Sequence, residues 1–253
     1  MNNLDITTVP LVHIDGVNIP FDPLWKNIAV SVSGGADSAL LACILMELID
    51  SYQCDTTVHF ISHIRCWKTR PWQQYDSLNV YNYLVKKYPK IKTLRHISFI
   101  APELEYGSVG PTMTDEYGKT VSGDNIQQRA FAEYACTQYS VDCYYNGVTK
   151  NPPLNLPGSM PSRFREKTAD LEKLELMVHL SFYASHPLRF TDKSWVMRQY
   201  STRDLYTLLD ITRSCEGEFK NIDYKSYTPG QYVPLCHNCF WCLEREWAIN
   251  ESK

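Results

Sequence analysis

The sequence predicts an α/β protein built on a mostly parallel sheet with helices on both faces, followed by a small cysteine-rich region. Three observations carry this expectation. Short β-branched apolar runs alternate with helical patterns between residues 27 and 148. The first run breaks into "SGGADS" (33–38) just before a helix, and Cys215, Cys236, Cys239 and Cys242 cluster near the end. Strand–helix alternation buries a parallel sheet between two helical layers, because each crossover lays a helix over one face.

Composition excludes several classes. The 253 residues are 44% hydrophobic and 21% charged, which suits a folded globular chain rather than a disordered or fibrous one. A formal charge of −3 argues against bulk nucleic-acid binding through a basic surface. No apolar stretch approaches the roughly 20 residues of a membrane helix. The first twenty residues lack a basic segment followed by an apolar core, so the expected compartment is the cytoplasm. In a reducing compartment, nine cysteines point to metal binding or burial rather than disulfides.

The elements are expected in this order. "HIDGVNIPF" alternates around Asp15-Gly16, a hairpin turn pair, so residues 1–26 read as a β appendage. "NIAVSVSGG" reads as a strand and "DSALLACILMELIDSY" as a helix that Asp37 or a neighbour could cap. Strands follow at 56–64 and 93–100, with a helix at 74–88 between them. After a turn-rich stretch come a helix at 124–139 and a strand at 142–148. Four prolines make 149–163 a long irregular loop overhanging the strand ends. Beyond it, "EKTADLEKLELMVHLS" is expected to be helical, "HPLRF" extended, and "DKSWVMRQYS" and "TRDLYTLLDIT" helical. The expected domains are the appendage at 1–26, an α/β domain at 27–205 and a metal-binding region at 206–253.

"SGGADS" joins a strand to a helix and so gathers free backbone N–H groups and a helix N-terminus at one point, a natural oxyanion site. It lacks the Gly-Lys-Ser/Thr ending of the Walker loop and the three spaced glycines of the dinucleotide turn. Ser33 and Ser38 offer hydroxyls, Gly34 and Gly35 let the backbone approach, and Asp37 supplies a charge suited to Mg²⁺ or to helix capping.

Cys215, Cys236, Cys239 and Cys242 have twenty, two and two residues between them. Four thiolates make a closed tetrahedral zinc site, structural rather than catalytic because no position is left for water. An iron–sulfur cluster is the chemical alternative. Cys43, Cys54, Cys66, Cys136 and Cys143 lack such spacing and read as core thiols.

The whole string Ser33-Gly34-Gly35-Ala36-Asp37-Ser38 resembles the PP-loop of the ATP pyrophosphatases. Together with the cysteine spacing, "SGDNIQQRAFAEYA", "YYNGVTKNP", "HPLRFTDKSWV" and "TRSCEG", it makes residues 27–247 resemble the 7-cyano-7-deazaguanine synthases. That resemblance implies a Rossmann-like PP-loop fold of the adenine nucleotide alpha hydrolase type and cleavage of ATP between its α- and β-phosphates. It further implies ATP, Mg²⁺ and Zn²⁺ as cofactors. The implied reaction takes 7-carboxy-7-deazaguanine and ammonia to the nitrile, each round activating an oxygen as a leaving group. By the same resemblance Ser31, Ser33, Gly34, Gly35, Ala36, Asp37, Ser38, Gly123, Asn125 and Arg129 would bind ATP. Gly147, Thr149, Asn151 and Arg163 would line the substrate, and Lys193 would act with Asp37 and Ser38 in catalysis. A homodimer is compatible with the family, and neither a membrane nor bulk nucleic-acid binding is expected.

The sequence departs from the family at three places. Asp124 stands where the family has Arg, "RCWKTRPWQQYD" (65–76) replaces a Gly-Gln-Arg-His segment, and Ala36 replaces Gln. Two other readings are carried forward: a different PP-loop ligase or thiolase, acting on another carboxylate or on tRNA, and a catalytically silent zinc-stabilised nucleotide-binding protein.

Overall fold

In a computed structural model, the described residues are all but 1–3, 66–69, 106–111, 115–119, 151, 153–175, 216–227 and 229–232. Near the start, β1 (Leu11–Ile14) and β2 (Val17–Pro20) form an antiparallel hairpin. Its turn is Asp15-Gly16, with φ of 44° and 82°, the left-handed pair that matches the twist of a two-residue hairpin. The side chains of Val17, Ile19 and Phe21 enter the main core rather than forming one of their own.

Among the described residues the main sheet has six strands: β3 (Asn27–Ser31), β4 (Thr57–Ile64), β5 (Thr93–Phe99), β8 (Cys143–Tyr145), β9 (Leu176–His179) and β10 (Phe182–Ser185). Between β5 and β8 in sequence, β6 (Thr112–Thr114) and β7 (Thr120–Ser122) make a separate two-stranded pair. The order in the main sheet is β5-β4-β3-β8-β10-β9, with every neighbouring pair parallel except β10–β9. The helices are α1 (Ala36–Tyr52), α2 (Gln73–Lys87), α3 (Gly123–Gln138), α4 (Lys193–Thr202), α5 (Tyr206–Asp210) and α6 (Phe240–Glu251).

Strand alternation sorts the two faces. Ile28, Val30, Val58, Phe60, Cys143 and Tyr145 face a core shared with α1, α2 and α4, whereas Ala29 and Ile61 face Ala135 and Cys136 of α3. Helices therefore cover both faces, as expected. Helix α1 is apolar almost all round because the hairpin and the C-terminal helices cover the side that the sheet does not.

Two local expectations fail. The described part of the expected helix before residue 181 is strand β9, paired antiparallel with β10 through a turn at Leu180-Ser181. Leu180 adopts φ 53° there, and with neither Gly nor Asn the turn carried no signal in the sequence. Residues 186–191 form turns rather than an extended run, with Arg189 N donating to His186 O and Thr191 N to Leu188 O. The residue capping α1 is Gly35, a neighbour of Asp37, and no side chain makes a cap hydrogen bond there. Among the described residues, no helix is long and apolar enough to cross a membrane.

Candidate active site

Strand order reverses at β3: β4 and β5 lie to one side of it, and β8 and β10 to the other. Ligands of open α/β sheets bind beyond the carboxyl ends of the strands at such a point, and residues 33–38 sit there. Gly34 has φ +86°, and a Cβ on it would lie 2.8 Å from Asp76 Cβ and 2.9 Å from Ser77 N. Glycine is therefore required twice over, for conformation and for the close approach of α2. Gly147 meets the loop from β8, since a Cβ there would lie 2.9 Å from the Cα and N of Ser38.

Inside the loop, Ser38 Oγ lies 3.1 Å from Gly35 O and 3.3 Å from both Ser33 N and Ser33 Oγ. Because α1 has no side-chain cap, the positive end of its dipole faces the loop without a protein anion bonded to it. Such a turn suits an oxyanion.

Asp37 points instead to Lys193, the first residue of α4. Lys193 Nζ is 3.3 Å from Asp37 Oδ2 and 2.7 Å from Glu244 Oε2, and only 2% of the lysine side chain is exposed. Burial alone would lower the lysine pKa, but Asp37 and Glu244 outweigh it and hold the ammonium above its ordinary value. The Lys193 ammonium also lies 5.8 Å from the Trp241 ring centre. Tyr200 donates to Ala36 O at 2.8 Å, tying α4 to the start of α1.

The loop has a second wall. Arg213 N donates to Gly34 O at 2.8 Å, and the Arg213 guanidinium lies 4.6 Å from the Trp72 ring centre. Asp76 stands against Gly34, and burial raises its pKa to about 7 although the Arg213 charge pulls the other way. Among the described residues, Asp76 Oδ2, Asp37 Oδ1 and Arg213 Nε are each buried without a hydrogen-bond partner.

The fold thus brings together Ser33, Gly34, Gly35, Ala36, Asp37, Ser38, Gly147 and Lys193. Ser31 closes β3 and is half-buried there. Gly123, Asn125 and Arg129 lie along the first half of α3, with Gly123 buried and the other two exposed. Thr149 is buried behind β8, and Lys150 N donates to Thr191 O at 2.7 Å. Asn151 and Arg163 lie outside the described residues, as do most of the 149–163 loop and Cys66. Sequence reasoning missed Glu244, Tyr200, Arg213 and Asp76. None of them carries a local signal, because each reaches the loop from a distant element.

The four clustered cysteines do meet: their sulfurs all lie within 4.8 Å of one another. Cys215 Sγ is 3.5 Å from Cys236 Sγ and 3.9 Å from Cys239 Sγ, and Cys236 Sγ is 3.8 Å from Cys242 Sγ. Four sulfurs about 2.3 Å from one tetrahedral zinc stand about 3.8 Å apart, which these distances match. A cubane would bind each sulfur to its own iron at a separate corner, so its thiolates would stand further apart. Hydrogen bonding with Cys215 and Cys239 pushes the Cys242 thiol far above its ordinary pKa, since thiolates this close repel unless a cation lies among them. Cys43, Cys136 and Cys143 are buried thiols whose pKa burial raises, as core cysteines should be.

No protein-family model matches the chain, nor does any curated protein. Among solved structures, the chain is similar to the U34-tRNA thiolase NcsA from Methanococcus maripaludis with its 4Fe–4S cluster, at 15% identity and a TM-score of 0.44. The match covers 89% of this chain and 63% of the thiolase chain. What places this chain among α/β proteins is its own architecture: a mixed, mostly parallel sheet between helical layers, a glycine turn at the strand-order reversal and a C-terminal cysteine cluster that could hold a metal.

Proposed function

We propose that the protein is an ATP-dependent synthase that cleaves ATP between the α- and β-phosphates, adenylates a carboxylate and aminates it with ammonia. The observation that carries this reading is the uncapped start of α1 at the glycine turn, with the Lys193 ammonium fixed 3.3 Å from Asp37 beneath it. A carboxylate resists attack because its leaving group would be oxide; adenylation supplies AMP as the leaving group. Negative charge then develops on the α-phosphate and on departing pyrophosphate. The N–H groups of the loop and the Lys193 cation are placed in advance to stabilise it. Mg²⁺ accompanying the nucleotide would screen the phosphates, with Asp37 the nearest carboxylate of the loop.

The substrate we favour is 7-carboxy-7-deazaguanine, taken to the nitrile through the amide. Its support is the family resemblance of residues 27–247. The cysteine cluster would hold one zinc ion in a structural role, consistent with sulfur separations of 3.5 to 3.9 Å. The test is pyrophosphate release from ATP with 7-carboxy-7-deazaguanine and ammonia, with the organic product weighed by mass spectrometry. Amide and nitrile products are expected. Pyrophosphate release without either product would move the reading to another carboxylate or to a tRNA substrate, and no ATP binding at all would leave a nucleotide-free scaffold.

A further inference from the structure

Glu244 makes the shortest contact in the charge cluster beneath the phosphate loop. Its Oε2 is 2.7 Å from Lys193 Nζ, against 3.3 Å for Asp37 Oδ2, and its side chain is 4% exposed. Two carboxylates share one ammonium here, and an apolar side chain would fill the place of Glu244 at lower cost in stability. Packing therefore does not explain a carboxylate there.

The place of Glu244 in the chain ties it to a second feature. Helix α6 starts directly after Cys239 and carries Cys242, so Glu244 lies two residues past the last clustered cysteine. Its neighbour Arg245 donates to Thr212 O at 3.0 Å and to Leu209 O at 2.9 Å. That segment continues through Arg213, bonded to Gly34 O, into Cys215. One end of α6 thus grips the loop on two sides: through Lys193 to Asp37, and through residues 209–213 to Gly34.

We propose that Glu244 is a positioning residue for the ATP-dependent step, fixing the Lys193 ammonium, and through it the Asp37 carboxylate, against the phosphate loop. A lysine has four flexible carbons and a rotating ammonium, so one partner does not define where its charge sits. Two partners on different helices do. With Glu244 in place the ammonium is shared and Asp37 keeps anionic character; without it the ammonium turns wholly to Asp37 and forms a neutral pair displaced from its working position. A cation stabilises developing charge only when it is already in place. This inference rests on the ATP reading proposed above.

The test compares the full-length wild type with Glu244→Leu, which removes the acceptor, and Glu244→Gln, which keeps an oxygen there without the charge. Four quantities are read: metal per chain, amide exchange of residues 33–41 without nucleotide, and kcat and KM for ATP in pyrophosphate release. Glu244→Leu is expected to exchange faster at 33–41, keep its metal, and lose about 100-fold in kcat with KM changed less than about threefold. Glu244→Gln is expected to recover at least about a tenth of the wild-type kcat. Should Glu244→Leu not fold, Glu244→Gln carries the test, with a kcat loss of about threefold to tenfold at unchanged metal content. Wild-type kcat, or a loss only in proportion to lost metal or lost folded protein, would overturn the proposal. If the wild type neither binds nor splits ATP, the ATP reading fails instead, and unchanged exchange at 33–41 would separately refute the link between Glu244 and the loop.

Discussion

Arg65 and Asp124 are bonded to one another: Arg65 Nε and Nη2 each lie 2.8 Å from Asp124 Oδ2, joining the end of β4 to the first turn of α3. A cation at the end of β4 thus compensates the buried carboxylate at the start of α3. Asp124 is buried, and its Oδ1 has no partner. Arg65→Ala would leave both oxygens unmatched and is expected to cost about 3–5 kcal/mol. The exchange Arg65→Asp with Asp124→Arg should recover a substantial part of that loss, measured by urea denaturation. Additive losses in the double variant would show that the pair is not coupled.

Asp76 makes stability depend on pH. In the unfolded chain its carboxyl ionises near 3.8, whereas in the fold it holds its proton up to about 7. The folded state therefore binds the extra proton between these values, and stability falls as pH rises from about 4 to about 7. Asp76→Asn should abolish this part of the slope. Its melting temperature should match the wild type at pH 4 and exceed it at pH 8, and parallel pH profiles for the two proteins would refute the assignment.

Two glycines with similar φ separate strain from crowding. Gly16 has φ +82° with nothing within 4 Å of an added Cβ, whereas Gly34 has φ +86° and meets Asp76 and Ser77 below 3.0 Å. Gly16→Ala should cost only backbone strain, about 1–2 kcal/mol. Gly34→Ala should also push α2 away from the loop and abolish ATP binding. Equal stability losses with ATP binding intact in both would contradict the packing described for the loop.

The cysteine cluster should hold about one zinc per chain. Cys239→Ser is expected to lose the metal and with it the C-terminal fold, because binding and folding are coupled at such sites. Elemental analysis and the thermal shift on adding a chelator test this together. Iron in place of zinc, or an unchanged melting temperature after metal removal, would overturn it.

Asp37→Ala and Ser38→Ala are expected to abolish ATP turnover with the sheet intact, since both residues start α1 rather than fill the sheet. Lys193→Ala should lower kcat more than it weakens ATP binding, the pattern of a group acting on charge in the transition state. It also removes the ammonium that both Asp37 and Glu244 contact, so its stability must be measured alongside.

The sequence by itself determined the features that short spacings encode. Strand-to-helix alternation located the parallel sheet, Asp15-Gly16 the hairpin, "SGGADS" the glycine turn between strand and helix, and the spacing of Cys236, Cys239 and Cys242 one metal-like cluster with Cys215. Each rests on a local rule: side-chain period, a φ only glycine tolerates, or the reach of adjacent sulfurs. Tertiary structure alone decided what the charges do. Lys193 lies 51 residues from Glu244 and Arg65 lies 59 from Asp124, and no periodicity names partners across such distances. A pattern along the chain shows that a position is buried but not what it is buried against. For Lys193 the neighbouring carboxylates of Asp37 and Glu244 hold the charge against burial, whereas for Asp76 burial itself raises the pKa. The β9–β10 hairpin escaped for a related reason. Its turn at Leu180-Ser181 is imposed by strand pairing across the sheet rather than by residues that favour turning.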